Sequence, residues 1–324
     1  MSPGSTEAGA RSILKPELEE RPRLPANRFC PEPGCALANT RVLLQGEAAY
    51  QDDGDPARLP YEYRLCTRCH MGFVHPTPSE AVLERFYTGD YAYYQAAGDQ
   101  PDREAGSLKY ALARLRYLHL IRPGWVNRAR SLAAALVELL ARKTVTFTLG
   151  IPLGLPRSAR ILDYGYGTGS WLLALRLLGY SDLAGYDIAA NRERARELAA
   201  RGIEVIPTGG LARLAAASLD CVRLEHVFEH LVDPLGVLSD LHRLLKPGGL
   251  LVMTFPSIYP WLEMEDLAAS PFLDYLQLPI HVAHHSVESS TRLAAAAGFA
   301  GIRTRITRRE RFITLFARRQ EAAA

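Results

Sequence analysis

The residues best suited to chemistry in this sequence are histidines and acids in two short segments. Glu225, His226, Glu229 and His230 form the first segment, and the second begins at His281 and contains two more histidines. An imidazole can take up or release a proton near neutral pH. His226 and His281 are therefore candidate general bases for a reaction in which a nucleophile must lose a proton.

The spacing of the first segment also fits a metal site. His226, Glu229 and His230 are three and four residues apart, so one helical turn would place them on one face. A downstream histidine could complete the ligand set, since imidazole and carboxylate are both common metal ligands. The alternative is that Glu229 and His230 have a structural role and fix the backbone after a strand.

A glycine-rich segment, LDYGYGTG at 162–169, lies upstream of both clusters. Glycines let a ligand approach the backbone without Cβ clashes, and a following helix presents free N–H groups to it. Ser170 stands where the dinucleotide-binding pattern requires its last glycine, which disfavours a nicotinamide cofactor. Asp187 ends the next predicted strand, where an acid can bind the hydroxyls of a ribose or cap a helix.

Alternating short apolar runs and helical runs would position these groups. The alternation predicts a parallel sheet covered by helices, with both segments at the carboxyl ends of its strands. The predicted strands are 160–164, 182–187, 203–206, 219–225 and 249–255, followed by an edge hairpin at 300–307 and 311–317. The predicted helices are 169–179, 191–201, 211–216, 233–245 and 286–297.

Composition narrows the function classes. The net charge of +3 is small for 38 basic and 35 acidic side chains, so nucleic acid and membrane partners are not indicated. No apolar stretch has the length of a signal peptide or a membrane helix. Five cysteines in 324 residues do not indicate a secreted disulfide scaffold, and we expect a cytoplasmic protein.

Four of the cysteines form two close pairs near the start of the chain. Cys30 and Cys35 make the first pair, and Cys66 and Cys69 make the second. This arrangement predicts a structural Zn²⁺ site with four thiolates, which would have no open position for catalysis. Four free thiols are the alternative, and His70 or His75 could replace a thiolate as ligand.

Several motifs in order resemble the class I S-adenosylmethionine (SAM) dependent methyltransferases. They are LDYGYGTG (162–169), GYDI (185–188), LDCVRLEHVFEHLVDP (219–234), LHRLLKPGGLLVMTFP (241–256) and HHSVESSTRLAAAAGF (284–299). The resemblance implies a SAM-dependent enzyme with a Rossmann-like seven-stranded sheet. It also implies a donor site made by Asp163, Gly165, Gly167, Gly169, Tyr186, Asp187, Ile188 and Glu225. Asp187 would bind the ribose, and Tyr186 or Ile188 would pack on the adenine.

The whole chain resembles bacterial methyltransferases that have a cysteine ribbon, an FY-x-x-x-Y segment, helices and then the catalytic domain. We therefore predict an α/β fold with four parts: a disordered tail at 1–28, a zinc-ribbon-like module at 29–78, a helical region at 79–158 and a methyltransferase domain at 159–320. That resemblance implies a small-molecule or saccharide acceptor, with transfer to oxygen favoured. Two alternatives remain: an RNA methyltransferase that binds RNA through its zinc module, and a SAM-binding scaffold protein without catalytic activity.

Overall fold

The computed structural model describes residues 35–50, 57–78, 155–177, 179–262, 276–278, 280–306 and 311–320, with isolated positions elsewhere. The predicted tail at 1–28, Cys30 and most of the helical region at 79–158 lie outside these residues. Within the described part of the chain, no helix has the length and hydrophobicity needed to cross a lipid bilayer.

Seven strands form the main sheet, as the alternation predicted. They are β4 (Arg160–Tyr164), β5 (Asp182–Tyr186), β6 (Glu204–Ile206), β7 (Leu219–Glu225), β8 (Leu245–Pro256), β10 (Phe299–Ile306) and β11 (Phe312–Arg319). Their order across the sheet is β10-β11-β8-β7-β4-β5-β6. The five strands from β8 to β6 are parallel, whereas β10 and β11 form the predicted antiparallel hairpin at one edge. This is the Rossmann-like α/β fold.

Among the described residues, four α-helices accompany the sheet: α1 (Ser170–Leu177), α2 (Arg192–Ala200), α3 (Pro234–Leu244) and α4 (Val287–Ala296). Their starts follow from local chemistry. Asn191 and Asp233 cap α2 and α3 by accepting backbone N–H bonds, and a capping box joins Ser286 to Ser289 at the start of α4. The apolar faces of α3 and α4 bury leucine and alanine side chains in the larger core.

The helix predicted at 211–216 is wrong. Only Leu211–Arg213 is helical there, as a single 3₁₀ turn, and Leu214 already has extended backbone dihedral angles. The run is too short to be stable as an α-helix, because closing the first turn fixes three residues for one hydrogen bond.

A second sheet, of four strands, lies beside the cysteines. Its fourth strand comes from a segment more than 200 residues further along the chain. Its strands are β1 (Thr40–Tyr50), β2 (Ala57–Cys66), β3 (Gly72–His75) and β9 (Ala283–His284), in that order. All pairs are antiparallel, and β9 precedes α4 in sequence. The cysteine-bearing sheet is therefore joined by backbone hydrogen bonds to the segment that carries the downstream histidines.

Side chains also join the two sheets. Tyr63 and Val74 of the small sheet share a buried cluster with Ile258 and Trp261, which follow β8. Gly72 is needed at this junction, because a Cβ there would lie 2.1 Å from the Tyr63 hydroxyl and 2.6 Å from Ile258 Cδ1. The small sheet thus packs against the loop after β8, beside the carboxyl ends of the parallel strands.

Candidate active site

The glycine segment forms a tight loop between β4 and α1. Gly165, Gly167 and Gly169 all have positive φ angles, of 81°, 51° and 69°. Other L-residues rarely adopt this conformation, so the sequence pattern follows from the backbone of the loop. The loop is closed by backbone hydrogen bonds from Gly165 N to Tyr186 O, at 2.6 Å, and from Gly169 N to Tyr166 O, at 2.7 Å.

The three glycines differ in what surrounds them. A Cβ at Gly165 would lie 2.3 Å from Val227 Cγ2, and a Cβ at Gly169 would lie 2.8 Å from Leu198. At Gly167 nothing among the described atoms lies within 4 Å of the Cβ position. Gly165 and Gly169 are thus required by protein packing, whereas the open side of Gly167 leaves room for a ligand.

Asp187 fixes the loop from the neighbouring strand. Its carboxylate accepts hydrogen bonds from Gly167 N at 2.8 Å and from Ala189 N at 2.9 Å. Burial raises the pKa of this group, and the two N–H donors oppose the rise. Each carboxylate oxygen can accept more than one hydrogen bond, so Asp187 retains capacity for ribose hydroxyls. Beside it, Tyr186 is buried and Ile188 is 54% exposed.

Arg223 organises the acids of the donor site, and the sequence interpretation missed it. Its guanidinium donates to Asp163 Oδ1 at 2.9 Å and to Glu225 Oε2 at 2.5 Å. It also stacks over the Trp171 ring, 4.5 Å from the ring centroid. Burial raises the pKa of Asp163 to about 6, although Arg223 opposes this rise. The available signal was that Arg223 lies between the apolar residues Val222 and Leu224 of a strand.

The first histidine segment follows β7 and turns back on itself. His226 has a left-handed backbone (φ 53°), and Phe228–His230 forms a 3₁₀ turn. The His226 ring lies edge-on to Phe312, with Nδ1 3.4 Å from Oε1 of Glu229. Burial would lower the pKa of His226, but Glu229 outweighs it and raises the pKa. The His226 side chain remains 48% exposed.

Glu229 is the middle residue of that turn, and its side chain is fully buried. Burial is the largest single influence and disfavours its ionised form, but His226, His230 and His281 together outweigh it and lower the pKa of Glu229 to about 2. His230 and His281 lie next to it, with ring centroids 4.7 Å apart. One candidate ligand atom from each of Glu229, His230 and His281 lies within 4.8 Å of the other two. The cluster therefore contains Glu229, His230 and a downstream histidine, as the spacing argument suggested, but His226 is not among its three residues.

A chain of hydrogen-bonded rings leads from this cluster to the small sheet. His281 Nδ1 lies 3.2 Å from His284 Nε2, and His284 Nδ1 lies 2.8 Å from the Tyr63 hydroxyl. Burial lowers the pKa of His281 to about 2 and that of His285 to about 3, so both rings are neutral near pH 7. The second histidine segment is thus an interior network, and Tyr63 is a member that no sequence motif indicated.

The cysteine cluster lies at the other side of the small sheet. Cys35, Cys66 and Cys69 are buried, and their sulfur atoms lie within 4.8 Å of one another. The Cys69 thiol is the largest influence on Cys66 and lowers its pKa to about 5. Three converging thiols with an easily formed thiolate fit a Zn²⁺ site. Neither His70 nor His75 belongs to this group of ligand atoms among the residues described.

The donor residues predicted from sequence converge around one loop. Asp163, Gly165, Gly167, Gly169, Tyr186, Asp187 and Glu225 lie at or beside the carboxyl ends of β4, β5 and β7. Val227, directly after His226, contacts the Gly165 position, so the first histidine segment adjoins the donor loop. Glu229 and His230 lie between His226 and His281. His226 is the most exposed of these four residues.

Several known proteins are similar to this chain in sequence. The chain is 33% identical over 146 residues to a dimethylglycine N-methyltransferase from Parasynechococcus marenigrum, covering 42% of this chain and 51% of that protein. It is 26% identical over 152 residues to a ubiquinone biosynthesis O-methyltransferase from Psychrobacter arcticus, covering 44% and 55%. The chain thus spans about half the length of these curated relatives.

A SAM-dependent methyltransferase from Mesorhizobium loti is a similar solved structure. It has 21% sequence identity and a TM-score of 0.41, over 51% of this chain and 94% of that one. A profile of the methyltransferase domain family matches residues 127–304, which is more than half of the chain. On that match, and with the donor loop in the fold that the family uses, this chain belongs to the SAM-dependent methyltransferases of class I.

Proposed function

We propose that this enzyme transfers the SAM methyl group to an oxygen of a small-molecule or saccharide acceptor, and that His226 removes the acceptor proton. One observation carries the proposal: a half-exposed histidine is held beside a buried carboxylate and directly adjoins the donor loop. Methyl transfer is an in-line displacement, so the base must stand close to the activated methyl group.

The accessible histidine is the better base. His226 is 48% exposed on its side chain, whereas only 7% of His281 reaches solvent. A base must come within hydrogen-bond reach of the acceptor hydroxyl, and His281 is separated from solvent by its own network. In this proposal His226 therefore accepts the proton, and Glu229 orients the ring and stabilises the imidazolium that forms.

The donor site assignments belong to the same proposal. Asp163 and the three loop glycines hold the amino-acid part of SAM, with Asp163 and Glu225 positioned by Arg223. Asp187 binds the ribose, while Tyr186 and the exposed Ile188 pack on the adenine. The buried acids, the open side of Gly167 and the remaining acceptor capacity of Asp187 support this placement.

A structural Zn²⁺ ion would be held by Cys35, Cys66 and Cys69, with Cys30 as the predicted fourth ligand. When bound, it would tie the turn at Cys66–Cys69 to the start of the small sheet. That turn also accepts a hydrogen bond from Ser286 Oγ to Cys69 O, at 2.5 Å. Zinc would thus stabilise the small sheet against the methyltransferase domain and take no part in the chemistry.

The acceptor class draws support from two sources. The two curated relatives named above act, by their names, on small molecules and include both an O- and an N-methyltransferase. The small net charge does not favour an RNA acceptor. Tyr63 and Trp261 belong to a buried cluster beside the carboxyl ends of the parallel strands, and in this proposal that cluster bounds a compact acceptor site.

The test begins with calorimetric titration of SAM and S-adenosylhomocysteine, followed by labelled methyl transfer to a panel of hydroxylated small molecules and sugars. His226→Gln should keep SAM affinity within about twofold and lower turnover by 10²–10⁴-fold. His242→Gln, a histidine of α3, is the matched control and should leave turnover unchanged. Transfer to RNA alone, or full turnover by His226→Gln, would contradict the proposal.

A further inference from the structure

The cluster of Glu229, His230 and His281 contains a buried carboxylate without a hydrogen-bond donor. Both Glu229 oxygens are buried, and no described group makes a hydrogen bond to either of them. The nearest cationic candidate, His226 Nδ1, is 3.4 Å from Oε1 without hydrogen-bond geometry. A buried carboxylate whose oxygens accept no hydrogen bond, beside two histidine rings, is a favourable place for a bound cation.

The hydrogen bonds of His230 set its ring for metal coordination. Its Nδ1 lies 3.0 Å from the carbonyl oxygen of Ile280. A carbonyl only accepts, so Nδ1 carries the hydrogen and, in the neutral ring, Nε2 carries the lone pair. A histidine that binds a metal through one nitrogen and donates from the other to a carbonyl is the usual arrangement at metal sites.

His281 is oriented in the same manner, through a longer chain. Its Nδ1 can donate to His284 Nε2, and His284 Nδ1 can then donate to the Tyr63 oxygen. That tautomer leaves the lone pair of His281 on Nε2. The chain is entirely buried, so these ring orientations are held by packing as well as by hydrogen bonds.

We propose that Glu229, His230 and His281 bind one divalent transition-metal ion in the interior, next to His226. Two imidazoles and one carboxylate suit Zn²⁺, Mn²⁺, Fe²⁺ or Co²⁺, and three protein ligands leave room for an oxygen ligand. This inference rests on the proposed function: by holding Glu229 in place, the ion would fix the position of the His226 ring that Glu229 contacts.

The ion at this site would differ from the zinc of the cysteine cluster in chemistry. Thiolates select Zn²⁺, whereas Mn²⁺ prefers oxygen ligands such as the Glu229 carboxylate. Protein with its cysteine site filled by Zn²⁺ can therefore be titrated with Mn²⁺ alone. Calorimetry gives the stoichiometry, and electron paramagnetic resonance measures the free Mn²⁺ that remains.

The expected result is one Mn²⁺ per wild-type chain. Glu229→Gln and His281→Asn should weaken this binding by at least about tenfold, while Glu288→Gln, an exposed glutamate of α4, should bind as wild type does. An unchanged SAM affinity and melting temperature show that a variant is folded. If Glu229→Gln does not meet this criterion, the Mn²⁺ affinity of His281→Asn tests the proposal instead. No Mn²⁺ binding by the wild type, or equal binding by a folded Glu229→Gln or His281→Asn variant, overturns the proposal.

The experiments distinguish failure of the metal-site proposal from failure of the proposed function. Full methyl transfer by protein from which the second metal has been removed would overturn the metal's role and leave the proposed function intact. Mn²⁺ binding that is lost in Glu229→Gln, together with no transfer to any acceptor, would support the metal site and contradict the proposed function.

Discussion

The hydroxyl of Tyr63 lies 2.8 Å from Nδ1 of His284, joining two residues that are 221 positions apart in sequence. Tyr63 belongs to β2 of the cysteine-bearing sheet, and His284 belongs to β9, immediately before α4. Their rings also meet edge to face, with centroids 5.7 Å apart. The small sheet therefore supplies one end of the buried network that leads to Glu229.

Tyr63→Phe should weaken Mn²⁺ binding at the proposed site by about tenfold, because such supporting hydrogen bonds orient metal-binding histidines. The free energy of unfolding should fall by about 1 kcal/mol for the lost hydrogen bond. SAM affinity should not change, since Tyr63 is remote from the donor loop. Calorimetry with each ligand measures both effects.

Tyr61→Phe is the matched control for this prediction. Tyr61 lies on the same strand, and its hydroxyl is next to the Gly46 position rather than a histidine. Equal Mn²⁺ affinities for the Tyr61 and Tyr63 variants would show that the hydrogen-bonded chain does not support the cluster.

SAM binding should depend on pH through Asp163. Burial raises the pKa of Asp163 to about 6, so the group is ionised above pH 6 and protonated below it. If the carboxylate holds the amino-acid part of SAM, affinity should be constant above pH 6 and should fall up to tenfold per unit below it. Calorimetric titrations between pH 5 and pH 8 measure this, within the range where the fold persists.

Asp163→Asn should bind SAM weakly and without this pH dependence. Asp182→Asn, at the amino end of the neighbouring strand β5, should keep the wild-type profile. A wild-type affinity that is flat down to pH 5 would remove Asp163 from the binding site or place its pKa much lower.

Two alanine substitutions in the donor loop should separate folding from binding. Gly165→Ala forces a Cβ to within 2.3 Å of Val227 at φ 81°, so it should cost about 2–4 kcal/mol of stability. Gly167→Ala meets no described atom within 4 Å and should cost only about 1–2 kcal/mol for its positive φ.

Both variants should lose SAM affinity, but Gly167→Ala should do so while remaining folded near room temperature. Thermal melting and SAM titration of each variant provide the comparison. Normal SAM binding by Gly167→Ala would mean that the ligand does not approach the open side of this glycine.

Removal of zinc should loosen the small sheet. Cys69→Ser should lower the zinc content to well below one ion per chain and should lower the melting temperature. Cys221→Ala is the control, because Cys221 is buried in β7, where burial raises the pKa of its thiol to about 12. Atomic emission analysis of both variants gives the metal content, and zinc retained in full by Cys69→Ser would contradict the thiolate site.

Local patterns were sufficient to predict the main sheet. Buried strands such as β4 and β5 are recognisable in the sequence as short, mainly apolar runs. The loop glycines occur where the backbone adopts positive φ angles. Caps such as Ser286 mark helix starts in the same local way. These signals depend on neighbours in sequence, which is why they are visible without a structure.

The partners of the site residues depend on register between distant segments and could not be predicted. Arg223 meets Asp163 because β7 and β4 are paired in parallel with these two residues opposite each other. The absence of His226 from the cluster of Glu229, His230 and His281 has a similar cause. The 3₁₀ turn at Phe228–His230 is tighter than an α-helix, and the ring beside Glu229 comes from another part of the chain.

The pairing of β3 with β9 has a consequence for synthesis of the chain. The ribosome completes β1, β2 and β3 early, but their fourth strand emerges only after β8, about two thirds of the chain later. Until then the β3 edge remains open and the cysteines lack the hydrogen bond that Ser286 donates to Cys69. Nascent chains therefore pass through a stage in which an unpaired edge strand and reactive thiols are exposed together, a stage prone to aggregation and oxidation.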